Sequence, residues 1–259
     1  MSKVIAVANQ KGGVGKTTTA VNVTAALGAQ KKRVLLVDLD PQGNATSGMG
    51  IVKKQTKRTS YHLLIGSAQP SETVIHTPFQ NVDIIPGGME LAGAEIEMID
   101  MEDRVYRLKK ELAFLKGDYD FVIIDCPPSL GLLTLNAFTG ADTLLVPIQC
   151  EYYALEGLSQ LMATVRQVKH LYNSLIELEG VLLTMYDGRL NLTMQVVNEV
   201  KKFFPQKVYK TVIPRTVRIS EAPSYGQPIL YYDRNSKGAQ AYDDLAKEII
   251  KANKNFKEA

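Results

Sequence analysis

Residues 9–18 read Asn-Gln-Lys-Gly-Gly-Val-Gly-Lys-Thr-Thr, and this stretch decides the fold. It stands between a short apolar run at residues 4–8 and a helical pattern at residues 17–30. Glycines let successive backbone N–H groups turn inward around phosphate oxygens, and the start of the following helix adds further donors and a positive dipole end. The order of strand, glycine-rich loop and helix therefore predicts a phosphate-binding loop.

The side chains of this loop indicate a nucleoside triphosphate with a divalent cation. Lys16 can reach the β- and γ-phosphates, and the Thr17 hydroxyl can ligate Mg²⁺. Position 10, where the usual pattern has glycine, is Gln10, and the loop carries an additional lysine, Lys11. We expect ATP and Mg²⁺ as cofactors. The predicted nucleotide-binding residues of the loop are Lys11, Gly12, Gly13, Val14, Gly15, Lys16, Thr17 and Thr18.

Short apolar runs alternate with helical patterns along the rest of the chain. Several runs are almost continuously apolar, as expected of strands that are covered on both faces of a parallel sheet. The alternation predicts an α/β fold with a doubly wound, mostly parallel sheet flanked by helices. The predicted strands are residues 4–8, 34–38, 82–86, 121–125, 144–147, 181–184 and 208–213, and the predicted helices are 17–30, 91–116, 155–172, 192–204 and 238–253. Residues 53–80 carry weaker signals that fit a surface helix and loop.

Three carboxylates stand where predicted strands end. Asp38 and Asp40 leave the second strand at positions i and i+2, at the sheet edge where ligands bind in such folds. One of them can hold a Mg²⁺-bound water, and the other can orient the attacking water. Asp125 ends the apolar strand 121–125 and is predicted to hold Mg²⁺ through water.

Composition bounds the remaining possibilities. The 259 residues are 45% hydrophobic and 22% charged, which excludes a disordered chain, and two cysteines exclude a disulfide scaffold. We expect one P-loop ATPase domain over residues 1–259, without an N-terminal helix-turn-helix domain. With no secretory signal or membrane-spanning run, we expect a cytoplasmic protein. Residues 181–259 have a net charge of +5 and residues 1–180 a net charge of −2, which favours a polyanionic partner.

The string KGGVGKTTT at residues 11–19 resembles the deviant Walker A of the ParA/MinD ATPases. The resemblance implies that Lys11 reaches across a dimer interface to the partner subunit's nucleotide, so that the competent site forms in an ATP-sandwich homodimer. DLDPQGN at residues 38–44 is similar to the family's second signature. On that match Asp40 orients the attacking water and Asp38 contacts Mg²⁺ through a bound water. The predicted catalytic residues are Lys11, Lys16 and Asp40.

Longer strings make the chain most similar to the ParA/Soj partition ATPases. They lie at residues 44–48, 91–97, 125–137, 149–161, 179–187 and 213–224. The resemblance implies an ATPase that binds double-stranded DNA non-specifically as an ATP dimer, associates with the nucleoid, and releases DNA when a ParB-like centromere-binding protein stimulates hydrolysis. Pro214 and Thr216 match the segment that lines the adenine.

Four basic side chains are the candidate DNA contacts. Arg189 and Arg218 match family positions implicated in DNA binding, whereas Lys201 and Lys202 are inferred from charge alone. Contacts of cations with phosphates carry no base preference, so binding should be independent of sequence and steeply dependent on salt.

Three other classes of protein compete with this interpretation. A MinD-like membrane ATPase needs an amphipathic C-terminal helix, but residues 251–259 offer a single aromatic side chain and little apolar area. An iron protein of the nitrogenase-reductase type needs two cluster-binding cysteines, whereas the strings around Cys126 and Cys150 look like those of partition ATPases. A nucleotide-gated scaffold without useful hydrolysis would not require Asp40.

Overall fold

The computed structural model describes residues 2–151 and 154–257 and has an eight-stranded sheet at its centre. The strands are β1 (Lys3–Val7), β2 (Val34–Asp38), β3 (Ile75–His76), β4 (Val82–Ile85), β5 (Phe121–Asp125), β6 (Thr143–Gln149), β7 (Glu177–Tyr186) and β8 (Val208–Pro214). Their order is β3-β4-β2-β5-β1-β6-β7-β8. Every neighbouring pair is parallel except β3 and β4. The predicted doubly wound, mostly parallel α/β fold is therefore confirmed.

Helices cover both faces of this sheet. They are α1 (Lys16–Ala29), α2 (Asn44–Gly48), α3 (Ser60–Ile65), α4 (Pro70–Thr73), α5 (Leu91–Glu97), α6 (Arg107–Ala113), α7 (Leu132–Gly140), α8 (Ala154–Leu171), α9 (Asn191–Phe203), α10 (Val217–Glu221), α11 (Ile229–Tyr232) and α12 (Lys237–Ala252). Short 3₁₀ turns occupy Lys53–Gln55, Ala222–Tyr225 and Lys254–Lys257. All seven predicted strands are present, and four of the five predicted helices start and end within one residue of the expected positions.

The strands separate two apolar cores. On one face α1 and α12 pack against the sheet through residues such as Leu27 and Leu245. On the other face α6, α7 and α8 contribute side chains such as Leu112 and Phe138. Because both faces are covered, the central strands β1, β2 and β5 are apolar at every position but one. A Cβ on Gly28 of α1 would overlap the backbone oxygen of Gln80 in the loop before β4, so this close approach requires glycine.

The single helix predicted for residues 91–116 is wrong. The chain forms two helices, α5 and α6, and Asp103 between them adopts a left-handed backbone conformation with φ of 60°. The side chain of Asn136 on α7 holds this turn, because its amide donates to the Arg104 carbonyl and its Oδ1 accepts from the Leu108 N–H at 3.1 Å. Helix α7 itself was not predicted.

The parallel order brings the candidate site residues to one edge of the sheet. In the register, Asp125 of β5 lies beside Val7 on one side and beside Asp38 on the other. The phosphate-loop residues follow β1 at this same carboxyl edge, and β7 and β8 end there as well. Residues from five separate parts of the sequence are therefore neighbours in space.

Candidate functional site

The loop between β1 and α1 has the backbone geometry that a phosphate cradle requires. Gly13 and Gly15 take left-handed conformations with φ of 75° and 87°, which glycine adopts without steric cost. A Cβ on Gly12 or Gly13 would meet no described atom within 4 Å, so the space above this part of the loop is open. Helix α1 starts at Lys16, and the residue before it, Gly15, has no side chain to cap the first N–H groups. Free N–H donors and the positive dipole end of α1 thus converge where phosphates would bind.

Lys16 is a buried cation beneath this loop. Its ammonium donates to the Lys11 carbonyl at 2.9 Å. Burial lowers the pKa of Lys16, and the carboxylates of Asp125 and Asp40 act in the opposite direction. The ammonium is therefore poorly hydrated and lies between the loop and two carboxylates, where a phosphate oxygen would gain a strong partner.

Asp125 is the best candidate for a cation-binding carboxylate. Both of its oxygens are buried, and neither finds a hydrogen-bond partner of good geometry among the described residues. Burial and the neighbouring Asp38 raise the pKa of Asp125 well above its usual value, although the nearby Thr17 hydroxyl favours the ionised form. An unpaired buried carboxylate is costly unless a cation or a metal-bound water satisfies it. The pair of Thr17 and Asp125 therefore fits Mg²⁺, as the sequence predicts.

Asp38 has a different environment, because its carboxylate is already fully engaged by protein groups. It accepts hydrogen bonds from the Asp40 N–H at 3.1 Å and from the N–H and hydroxyl of Thr46 at 2.8 and 2.7 Å. Burial raises the pKa of Asp38 to about 6. A Cβ on Gly87 would lie 2.8 Å from this carboxyl group. Asp38 thus fixes the turn between β2 and α2, and its proposed contact with a Mg²⁺-bound water stays a prediction.

Asp40 lies on that turn, above Asp38 and towards the loop. Its Oδ1 accepts the Gln42 N–H at 2.9 Å, and its charge is close enough to stabilise the protonated form of Lys16. The second carboxylate oxygen has no such backbone donor among the described residues. Asp40 is consequently the carboxylate of this turn that is free to accept a hydrogen bond from a water molecule.

A cavity of about 320 Å³ adjoins the phosphate loop and has the position expected for the nucleotide base. Its lining includes the predicted Pro214 and Thr216, but the Thr216 hydroxyl also caps α10 by accepting the Ile219 N–H at 3.3 Å. Three further lining residues, Thr184, Met185 and Tyr242, were not predicted. They come from β7 and α12, far from the loop in sequence, and the family-like string at residues 179–187 contains Thr184 and Met185 without marking them as nucleotide contacts.

Lys11 lies at the outer rim of the loop and does not point at the phosphate space of its own chain. Its ammonium pairs with a carboxylate oxygen of Glu151 at 2.8 Å, and about a third or more of each side chain is exposed. Exposed pairs of this kind contribute about 0–1 kcal/mol, so this one can be exchanged for a stronger anionic partner.

None of the four candidate DNA-binding side chains belongs to the phosphate loop or lines the cavity beside it. Arg189, 88% exposed, forms a bidentate pair with Asp187, and Arg218 faces Glu221 and Asp233 at 3.3 and 3.6 Å. Lys201 and Lys202 occupy the last turn of α9 and are exposed. The structure thus places both arginines just beyond β7 and β8, at the carboxyl edge, and the two lysines at the far end of a helix.

Both cysteines are buried and free. Burial raises the pKa of the Cys126 thiol well above its usual value and that of Cys150 to about 11. Each side chain belongs to the apolar core, which agrees with a packing role.

Comparison with known proteins identifies the family. Residues 2–178 match the AAA domain family. The sporulation initiation inhibitor protein Soj of Bacillus subtilis is 58% identical over 249 residues, which cover 96% of this chain and 98% of that protein. The chromosome partitioning protein ParA of Caulobacter vibrioides is 50% identical over 96% of this chain and 94% of its own. The chain belongs to the Soj/ParA family of ATPases. The expected family and ATPase class are therefore confirmed.

A solved structure supports the same assignment of this Soj/ParA-family chain. The crystal structure of cobyrinic acid a,c-diamide synthase from Mycobacterium smegmatis with bound ADP and magnesium superimposes with a TM-score of 0.86. The two chains are 40% identical, and the match covers 99% of this chain and 96% of the other. The ligands of that protein agree with the prediction of ATP and Mg²⁺. Over residues 2–151 and 154–257, none of the helices is long and apolar enough to cross a membrane.

Proposed function

We propose that this chain is a DNA partition ATPase, active as an ATP-sandwich dimer that binds double-stranded DNA without sequence preference. The observation that carries the proposal is the shared sheet edge. The phosphate loop and the exposed Arg189 and Arg218 all follow strands that end at this edge, so nucleotide and DNA would bind close together. The names of the Soj and ParA relatives support chromosome partitioning as the process.

Each group of residues in the site has a separate role in phosphoryl transfer. The amides of residues 12–18 and the Lys16 ammonium bind the phosphates, and Thr17 and Asp125 hold Mg²⁺, which neutralises phosphate charge when bound. Asp40 accepts a hydrogen bond from the attacking water and orients it towards the γ-phosphate. Pro214 and Thr216 line the cavity that would hold the base.

The dimer and the partner protein complete the cycle. Lys11 exchanges Glu151 for the phosphates of the partner subunit's nucleotide, so productive sites form only when two protomers meet. A ParB-like centromere-binding protein stimulates hydrolysis, and the ADP form leaves the DNA. The chain acts as one ATPase domain in the cytoplasm, associated with the nucleoid. Its basic C-terminal third agrees with a polyanionic partner.

A MinD-like role at a membrane is the second candidate, and the C-terminal segment disfavours it. The aromatic ring of Phe256 lies against the Lys3 ammonium, 4.5 Å from it, and lines a cavity at the amino edge of the sheet. This ring is therefore engaged with the body of the protein. Residues 258–259 of the same tail lie outside the described residues.

The variant Lys11→Ala should bind ATP but fail to form the ATP dimer. Lys11 contributes no side-chain atom to its own phosphate loop, because its ammonium lies on Glu151. We expect ATP affinity to change less than about threefold, within the weak range of an exposed pair. Sedimentation with ATP and Mg²⁺ should show monomers for the variant and dimers for the unchanged protein. A normal ATP dimer would refute a role of Lys11 across the interface.

DNA binding should require ATP, and the loss of either arginine should weaken it. Two protomers joined by ATP double the number of phosphate contacts, and removing one cation–phosphate pair should reduce the slope of log K against log salt by about 0.9. Arg189→Ala and Arg218→Ala should thus weaken binding and flatten this slope while the dimer still forms. Arg33→Ala, which removes an exposed arginine at the opposite sheet edge, is the matched control. Titrations of duplex DNA with ATP or ADP at two salt concentrations test this, and equal affinity with both nucleotides would contradict the proposed function.

A further inference from the structure

The guanidinium of Arg189 is not free in this structure. Its Nε donates to Asp187 Oδ1 at 2.8 Å, and its Nη2 donates to Asp187 Oδ2 at 2.6 Å. The backbone N–H of Arg189 also donates to Asp187 Oδ1, at 3.1 Å. These bonds occupy one of the two edges through which a guanidinium binds a phosphate in bidentate geometry. The same carboxylate therefore holds both the side chain and the backbone of Arg189.

The carboxylate of Asp187 is more buried than the arginine that it binds. Its side chain is 25% exposed, whereas that of Arg189 is 88% exposed. The hydrogen bonds from Arg189 lower the pKa of Asp187 to about 2, and the charge of Arg215 acts in the same direction. Asp187 consequently remains ionised at neutral pH, where its negative charge neutralises the positive charge of Arg189.

Two other candidate DNA contacts also pair with carboxylates, but each forms a single hydrogen bond with its glutamate. Arg218 faces Glu221 at 3.3 Å, and Lys202 pairs with Glu199 at 2.5 Å. The geometry at Arg189 is the tightest of these arginine pairs, because two parallel hydrogen bonds are formed instead of one. Asp187 is therefore the carboxylate whose removal should change the charge presented to DNA most directly.

We propose that Asp187 is an affinity-limiting residue, which competes with DNA phosphate for the guanidinium of Arg189 and keeps the complex with DNA weak enough to dissociate. This inference rests on the proposed function, since it requires that the chain binds DNA through Arg189. DNA must displace or share a bidentate carboxylate before it gains this contact. This competition suits a reversible partition cycle. When DNA is released after hydrolysis, the Asp187 carboxylate replaces the phosphate as the partner of the Arg189 guanidinium.

The size of the effect follows from the exposure of the pair. An exposed ion pair such as Asp187–Arg189 weakens the competing contact of Arg189 with a DNA phosphate only modestly. The affinity for DNA is then lowered by roughly fivefold for each protomer. While Asp187 shares the guanidinium, Arg189 neutralises only part of the phosphate charge, so removing the carboxylate should make the slope of log K against log salt more negative by at most about 0.9 for each protomer. The change for a dimer is then at most about 1.8 in slope, and a purely structural role of Asp187 would leave the slope unchanged.

The experiment compares Asp187→Asn with Asp118→Asn in ATP-dependent titrations of a random-sequence duplex at several salt concentrations. Both substitutions change the net charge equally, but Asp118 is exposed beside the amino end of β5, at the opposite sheet edge. We expect Asp187→Asn to bind DNA about fivefold tighter or more, with the steeper slope, and Asp118→Asn to behave like the unchanged protein. In an Arg189→Ala background, Asp187→Asn should have little effect.

The possible results separate the two proposals. If the unchanged protein binds DNA but Asp187→Asn binds equally or more weakly, or tightens binding equally with and without Arg189, the competition proposed here is wrong and the partition function stands. If neither protein binds DNA with ATP, the partition function fails and this inference fails with it. Sedimentation with ATP, run in parallel, shows whether each variant still dimerises.

Discussion

Replacing Lys16 with alanine should reduce ATP affinity by about 100-fold or more. The Lys16 ammonium is buried beneath the phosphate loop, and its hydrogen bond among the described residues goes to the uncharged Lys11 carbonyl, so the β- and γ-phosphates would be anionic acceptors that it now lacks. Hydrogen bonds to charged groups are worth about 1.5–3 kcal/mol each, and this substitution removes two of them at once. Calorimetric titration with ATP and Mg²⁺ measures the change.

The matched control for this change is Lys109→Ala, which removes an exposed lysine of α6 that lies outside the site. Its ATP affinity should equal that of the unchanged protein. Thermal unfolding of both variants shows whether the fold persists. If Lys16→Ala retained full affinity, the assignment of the loop as the phosphate-binding element would be wrong.

The Asp40→Ala variant should bind ATP and dimerise normally but hydrolyse ATP about 100- to 10,000-fold more slowly, the usual contribution of a positioned acid–base group. Asp40 accepts one backbone N–H through Oδ1 and offers its other oxygen to water. Removing it takes away no hydrogen-bond partner of the phosphate loop, of Lys16 or of Asp125 among the described residues. The protein should therefore accumulate as an ATP dimer on DNA. Steady-state phosphate release, with and without the partner protein, checks the rate.

Asp38→Ala provides a contrast to this variant. Asp38 anchors the turn through three hydrogen bonds from Asp40 and Thr46, so its loss should lower thermal stability as well as activity. Asp40→Ala should lower activity alone. Retention of partner-stimulated turnover by Asp40→Ala at the unchanged rate would eliminate Asp40 as the water-orienting residue.

Much of the sheet and of the phosphate loop could be predicted from the sequence. Strands covered on both faces have few polar positions, so runs such as Val34–Asp38 stand out from the helical patterns around them. The residues of the phosphate loop are consecutive in sequence, so the pattern of glycines alone predicts where the backbone is left-handed, as at Gly13 and Gly15.

Features that depend on contacts between distant segments could not be predicted. The break between α5 and α6 depends on a side chain of α7, and the lining of the base cavity includes residues from β7 and α12. The engagement of Asp38 by Thr46 likewise requires the folded turn, because sequence shows only that two carboxylates follow the strand. The acidic neighbours of Arg189 and Arg218 were visible as residues, but their pairing geometry was not.

The final residues of β7 give the two proposed binding sites a common support. The hydroxyl of Thr184 donates to the Val14 carbonyl of the phosphate loop at 2.8 Å. Met185 follows in a left-handed conformation with φ of 49°, which is uncommon for a residue with a side chain, and Asp187 and Arg189 come soon after it. Thr184 and Met185 also line the cavity beside the phosphate loop. One short stretch of backbone, from Thr184 to Arg189, thus borders the phosphate loop at one end and presents the proposed DNA contact at the other.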